Sequence, residues 1–177
     1  MENVKTYIQQ IRKNGNSYTK GEVVDILEKY NIICQNFPFV LLPEPKELPK
    51  RDWPDEHGVD VFVPSTRLIK EYDIDVEFLY VGTEQNIRTD VGDFIDYLYG
   101  RNENAVGSLL AVYNEYTEIG RKDIIVTEIE NNMYYTKNGD FDSVAAFKVK
   151  FMVCDPVTDV ILTQTTNNGN TTLALDF

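Results

Sequence analysis

Glu71-Tyr72-Asp73-Ile74-Asp75-Val76-Glu77-Phe78-Leu79-Tyr80-Val81 alternates without a break, with Tyr72, Ile74, Val76, Phe78 and Tyr80 on one side and Asp73, Asp75 and Glu77 on the other. A period of two marks a strand with one face in a core and one in water, so this segment reads as a half-buried antiparallel strand. The same rule extends toward the C-terminus. Ala145, Phe147, Val149, Phe151 and Val153 face one way while Lys148 and Lys150 face the other, and Asp123 to Glu130 is rich in Ile and Val. Asn138-Gly139 is a hairpin-type dipeptide between these runs. Asp155-Pro156 closes the last long strand, and Val160-Ile161-Leu162 adds a short one. The C-terminal half is expected to be mainly antiparallel sheet.

Helical spacing dominates elsewhere. Val91, Phe94, Ile95 and Leu98 predict a helix over Thr89 to Tyr99, with Thr89 as N-cap and Gly100 just past its end. Val4, Ile8 and Ile11 recur at i, i+4, i+7 ahead of Asn14-Gly15, which predicts a short amphipathic helix closed by a glycine cap. Thr19-Lys20-Gly21-Glu22 fits a capping box, followed by the stripe Val23, Ile26, Leu27 and Tyr30. Val106, Leu109, Leu110 and Tyr113 fit either a helix or a strand.

Five of the seven prolines fall between Pro38 and Pro54, where fixed φ angles and missing donors forbid a regular helix or central strand. A long extended arm follows, carrying Phe37, Phe39, Val40, Leu41 and Leu42; these either pack on a neighbouring subunit or cover the domain's own core. Val59 to Val63 reads as a strand broken by Pro64, and the Thr/Asn/Gly run from Thr163 to Thr172 shows no periodicity. The expected organisation is one α+β domain: N-terminal helices over 1–36, a proline-rich arm over 37–58, a sheet with helices on one face over 59–162, and a mobile tail over 163–177.

Seventeen Lys+Arg against twenty-nine Asp+Glu leave a net charge of −12, which repels phosphate backbones and anionic lipid heads. DNA or membrane binding through a basic face is disfavoured; solubility, a basic partner, or a wall past which nucleic acid slides are the roles left for the charge. The N-terminus shows no apolar signal region, and no stretch is long enough for a membrane span, so synthesis in a cytoplasm is expected. Cys34 and Cys154 lie far apart without CxxC spacing and read as free, buried thiols. Asn170-Thr171-Thr172 matches a glycosylation sequon that has no meaning without secretion.

The signatures of nucleophile-elbow, dinucleotide, P-loop and zincin chemistry do not occur. His57 is the only histidine, beside Asp55 and Glu56, and reads as a surface residue; neither a multi-histidine zinc site nor a well-held catalytic triad can be built on it. Asp73, Asp75 and Glu77 share one strand face at steps of roughly 7 Å, a spacing that suits a solvated face better than a divalent cation. Asp90, Asp93 and Asp96 follow one side of the predicted helix, where its dipole favours them. No catalytic, cofactor or metal residues are assigned. Eleven Tyr and nine Phe exceed what a core of this size absorbs, and Tyr97, Tyr99, Tyr113, Tyr116, Tyr134 and Tyr135 supply both core and contact surface.

The order of elements from Val59 to Leu162, with the Tyr/Asp strand, the helix, the stretch Tyr-Asn-Glu-Tyr-Thr-Glu-Ile-Gly-Arg (Tyr113 to Arg121) and the strand before Asp155-Pro156, resembles tailed-phage neck proteins of the tail terminator or tail-completion type. The resemblance implies a non-enzymatic virion subunit that forms a homo-oligomeric ring between head connector and tail tube, contacts neighbouring neck and tail-tube proteins, and lets DNA pass without binding it. It makes Asp73, Asp75 and Glu77 candidates for an acidic lumen, and Phe37, Phe39, Leu41, Leu42, Tyr134 and Tyr135 candidates for interfaces. Two other classes fit the composition: an acidic, monomeric inhibitor or immunity-type protein that masks a basic partner, and an enzyme using the Asp73, Asp75 and Glu77 face with a divalent ion.

Overall fold

The computed structural model describes residues 5–83, 85–138, 141–167 and 170–177, with side chains for all of these except 131–138, 141–144 and 170. Strands β1 (Thr6–Asn14) and β2 (Ser17–Asp25) lead into a one-turn helix α1 (Ile26–Tyr30) and strand β3 (Ile32–Asn36). Two dipeptide strands, β4 (Lys50–Arg51) and β5 (Asp60–Val61), precede β6 (Tyr72–Tyr80) and helix α2 (Ile87–Leu98). The chain then runs through β7 (Leu109–Asn114), the long β8 (Ile119–Asn138) and β9 (Phe141–Asp155), and ends on β10 (Ile161–Asn167) and β11 (Asn170–Asp176). Seven strands form one antiparallel sheet in the order β2-β1-β7-β8-β9-β6-β3. Among the described residues no helix is long and apolar enough to cross a membrane.

The alternating stretch is strand β6, and its two sides separate as the sequence predicts. Ile74, Val76, Phe78 and Tyr80 are buried, while Asp73 and Asp75 are exposed. Its neighbour β9 continues the layer, with Val76 opposite Val149 and Phe78 opposite Phe147. Helix α2 lays Val91, Phe94 and Leu98 on these residues; the Phe94 ring lies 5.3 Å from Phe78 and 6.3 Å from Phe147, within the range of favourable aromatic contacts. It spans Ile87–Leu98, two residues earlier than its spacing predicts, with Asn86 rather than Thr89 at the N-cap. Gly100 follows in the left-handed region at φ 67°, where a Cβ would stand 2.7 Å from the Gly107 carbonyl oxygen.

The N-terminal helices are strands. Thr6 to Ile11 are all buried, because Ile8 and Gln10 face the helix layer while Tyr7 and Ile11 face a second cluster with Val160 and Leu175 from the C-terminal hairpin. A strand buried on both faces loses its alternation, and the i, i+4, i+7 spacing of Val4, Ile8 and Ile11 arises by coincidence; Val4 itself lies outside the described residues. The Thr19 to Glu22 capping box is likewise part of strand β2. Helix α1 starts instead at Asp25, whose carboxylate accepts the N–H groups of Leu27 at 3.0 Å and Glu28 at 3.4 Å.

Leu109–Asn114, which fits either element by spacing, is a strand. β8 and β9 pair from Lys122 opposite Asp155 to Asn138 opposite Phe141; Gly139 of the expected turn lies outside the described residues. In place of a mobile tail, Ile161–Asn167 and Asn170–Asp176 pair as the antiparallel strands β10 and β11, which bury Leu175 and cover the sheet at β1 and β7. Arg121, on the core side, and Lys122 and Asp123, on the hairpin side, sit where Asp123 at φ 52° makes the strand bulge.

Candidate interaction surface

Between β3 and β6 the chain leaves the sheet. Phe37 and Phe39 do not leave with it: Phe37 is buried, its ring 5.8 Å from Phe151, and Phe39 packs on the same core at 4.6 Å from Phe37. These two residues cover the chain's own core and are removed from the interface candidates. Leu41 and Leu42, 71% and 86% exposed, remain.

From residue 43 to 70 the chain runs out and back as two antiparallel legs. The Lys46 N–H donates to the Leu68 carbonyl at 2.7 Å, and the Lys70 N–H to the Glu44 carbonyl at 2.8 Å, flanking a bridge between Pro45 and Ile69. Further out, Lys50 pairs with Val61 and Arg51 with Asp60. The predicted strand Val59 to Val63 is thus two residues of a ribbon within this excursion. At the tip the Arg51 guanidinium lies 3.6 Å over the Trp53 ring, whose indole N–H donates to Asp60. His57 stands exposed in the tip turn.

The excursion has almost no interior. Among the described residues, eight of the twelve exposed large apolar side chains lie between Leu41 and Leu68, with Phe62 at 68% and Val63 at 64%. Its charge also differs from the rest. Residues 43–70 carry six carboxylates and five cations, a net −1 that leaves −11 on the remainder of the −12 chain. Among the described residues outside it, seven cations pair with carboxylates, as with Lys5–Asp25 at 3.1 Å and Lys148–Glu77 at 3.0 Å, while Arg12, Lys20, Lys29 and Arg88 do not. Among the described residues, Lys46, Lys50, Arg51, Arg67 and Lys70 have no carboxylate within 4.0 Å.

At the root of the excursion is a groove of 480 Å³ between the residues entering and leaving it and the outer face of the sheet. Val40, Leu42, Pro43 and Met152 give it apolar lining, and Glu44, Glu71 and Asp73 bring three carboxylates to the one ammonium of Lys70. Tyr72 also lines the groove, and its phenol oxygen is buried.

The acidic strand face is only partly acidic in effect. Glu77 is held by Lys148, while Asp75, opposite Lys150, has no ion pair among the described residues, Lys150 turning to Glu128 at 2.9 Å and Glu130 at 3.5 Å. Asp73, Asp75 and Glu77 are spread along the strand, and among the described residues no three His, Cys, Asp or Glu side chains converge to hold a metal ion. Both cysteines are free; Cys34 is buried, and burial pushes its thiol up to about 12, but Cys154 is exposed on the outer face. The Cys154 thiol is raised, by burial first and then by the carboxylates of Asp123, Glu71 and Asp73.

Of the tyrosines, Tyr97 is core, Tyr116 is 80% exposed, and the side chains of Tyr134 and Tyr135 lie outside the described residues. Asp90, read as a dipole carboxylate, accepts from the Tyr80 hydroxyl at 2.9 Å and the Asn31 amide at 3.0 Å. Burial, and then this bond to Asp90, pushes the Tyr80 phenol up to about 12.

No protein-family model matches the chain, and no curated protein does. Among solved structures the chain is similar to the SPP1 Dit protein, described as a paradigm of the hub adsorption apparatus in phages that infect Gram-positive bacteria, at 11% identity and a TM-score of 0.49. The match covers 92% of this chain and 58% of that one.

Proposed function

We propose that this chain is a non-enzymatic structural subunit of a tailed-phage virion, a ring-forming component of the neck between head connector and tail tube. The observation that carries the reading is the excursion over residues 43–70, which holds large apolar side chains in water on a chain otherwise able to bury them. Exposed apolar surface of this kind marks contact sites, and a near-neutral limb is the part of a −12 subunit that like charge repels least. Asp73 and Asp75, exposed and without lysine partners among the described residues, are suited to a surface that phosphate backbones slide past; Glu77 is already neutralised by Lys148.

Light scattering on a size-exclusion column, over a range of concentration and salt, tests the proposal. A discrete oligomer, or a monomer that assembles as concentration rises, supports it. A strict monomer under every condition contradicts it and favours an acidic inhibitor that meets a single basic partner.

A further inference from the structure

We infer that the paired strands β10 and β11 are handed from one copy of this chain to the next, leaving their own sheet to cover the β1 and β7 face of a neighbour. The inference rests on the ring reading: the excursions bring copies together, and the exchange fixes them.

The pair is attached to its own sheet mainly by side chains. Its two strands bond to each other and form a sheet outside the seven-strand order. Val160 and Leu175 are buried in one cluster with Tyr7, Ile11 and Ala111 of the main sheet. The Lys20 ammonium donates to the Leu175 carbonyl at 2.8 Å and lies 3.7 Å over the Phe177 ring. At the base the Val160 N–H donates to the Gly120 carbonyl at 3.2 Å, and a Cβ on Gly120 would stand 2.8 Å from that of Val160, so this seat is shaped for a close approach. Thr163 to Asn167 are exposed and add nothing to the seat.

A unit held in this way opens as one piece. Two strands alone are marginally stable, and Tyr7, Ile11 and Ala111 are costly to leave bare in water, so each side of the contact needs a cover once they part. A second copy supplies it with the contacts already seen, since every copy carries the same pair and the same face, and such an exchange loses contacts at the joint alone. The joint is residues 156–159, which span about 14 Å at full extension. Its turn is held by the Asp155 carboxylate, which accepts the Val157 N–H at 3.2 Å and the Thr158 N–H at 3.0 Å. Charge opposes the crossing little: residues 161–176 carry one charged side chain, Asp176, on a chain of net −12. Subunits already held side by side stand at high effective concentration, and a chain that gives one pair and receives one makes a heterologous contact that a ring can close.

The test asks on which chain the pair sits. In the full chain, with the exposed Cys154 replaced by Ser, Tyr18→Cys and Phe177→Cys put thiols where two rings now lie 5.3 Å apart, and a short bifunctional thiol reagent joins them. Thermal melting checks the fold. Exchange is expected to give covalent dimers and higher species on a denaturing gel, in proportion to the oligomer seen by light scattering. A discrete oligomer whose joined chains all run as monomers overturns the inference and leaves the ring reading standing. A native chain that is monomeric at every concentration overturns both. Should the cysteine variant not fold, hydrogen exchange in the native chain decides. The amides of β10 and β11 are expected to exchange together, at least about tenfold faster than those of β6 and β9. Equal protection overturns the inference, because the pair then opens only with the whole fold.

Discussion

The helix-packed sheet and the excursion from residue 43 to 70 treat the same residue types in opposite ways. In the sheet, Phe78, Phe94 and Phe151 are fully buried, and most cations that approach its surface find a carboxylate. In the excursion, Phe62, Val63 and Leu68 stand in water and the cations lack carboxylate partners among the described residues. Both limbs come from one 177-residue sequence of ordinary hydrophobicity, so the contrast lies in placement rather than composition. On the reading proposed above, the region left unsatisfied is the one kept for contact.

The contrast is broken most severely from the core side. Phe94→Ala removes a ring that touches Tyr30, Phe78 and Phe147, and is expected to cost about 3–5 kcal/mol in denaturant unfolding, the usual range for a buried Phe. If it costs less than about 1 kcal/mol, the helix layer is not the chain's main source of stability. Next is Tyr97→Phe. The Tyr97 hydroxyl accepts from the Gln10 N–H at 3.1 Å and donates to the Ile8 carbonyl at 3.2 Å, so its loss strands a buried donor and is expected to cost about 1–3 kcal/mol.

A smaller, pH-dependent effect belongs to Asp155. Burial pushes its carboxyl up, but hydrogen bonds from the Thr158 N–H and hydroxyl and from the Val157 N–H, with Lys122 nearby, outweigh that and hold it below the usual carboxylate value of 3.8. A depressed folded-state pKa gives stability that is present above the unfolded value and lost as pH falls through the folded one. The melting temperature of the native chain should therefore exceed that of Asp155→Asn near neutral pH, with the gap closing below about pH 4. A gap that stays constant from pH 7 to pH 3 refutes the assignment. The smallest expected change sharpens the comparison from the other side: Phe62→Ala should move stability by no more than about 0.5 kcal/mol, while reducing self-association.

What the sequence discloses follows from how many faces of an element meet water. β6 and β9 each wet one face, so Asp73 and Asp75, or Lys148 and Lys150, alternate with core residues and reveal the strand. β1 wets neither face at Thr6 to Ile11, and its polar residues are satisfied by groups far along the chain. The Gln10 side chain donates to the Tyr97 carbonyl and to Asn102, and accepts from the Val106 N–H, partners that no local window contains. The helix start had a visible signal that Thr19 and Glu22 masked: Asp25-Ile26-Leu27-Glu28 has capping-box spacing of its own.

The interaction surface was legible in part. Leu41 and Leu42 stand out beside five prolines, but Phe62 and Val63 read only as part of a strand, because apolar runs look alike whether buried or exposed. The groove was not legible, since its walls come from Val40, residues 42–44, residues 70–73 and Met152 and exist only once β6 and β9 are paired.

The central claim, that residues 43–70 serve contact and not folding, is tested most directly by removing them. The Glu44 carbonyl and the Lys70 N–H are already hydrogen-bonded, so a short Gly-Ser turn can replace residues 46–68 without moving β3 or β6. Thermal melting and light scattering are then compared with the native chain. The account predicts a cooperative melt within a few degrees of the native one together with loss of the oligomer. A shortened chain that unfolds, or one that assembles as the native chain does, contradicts it.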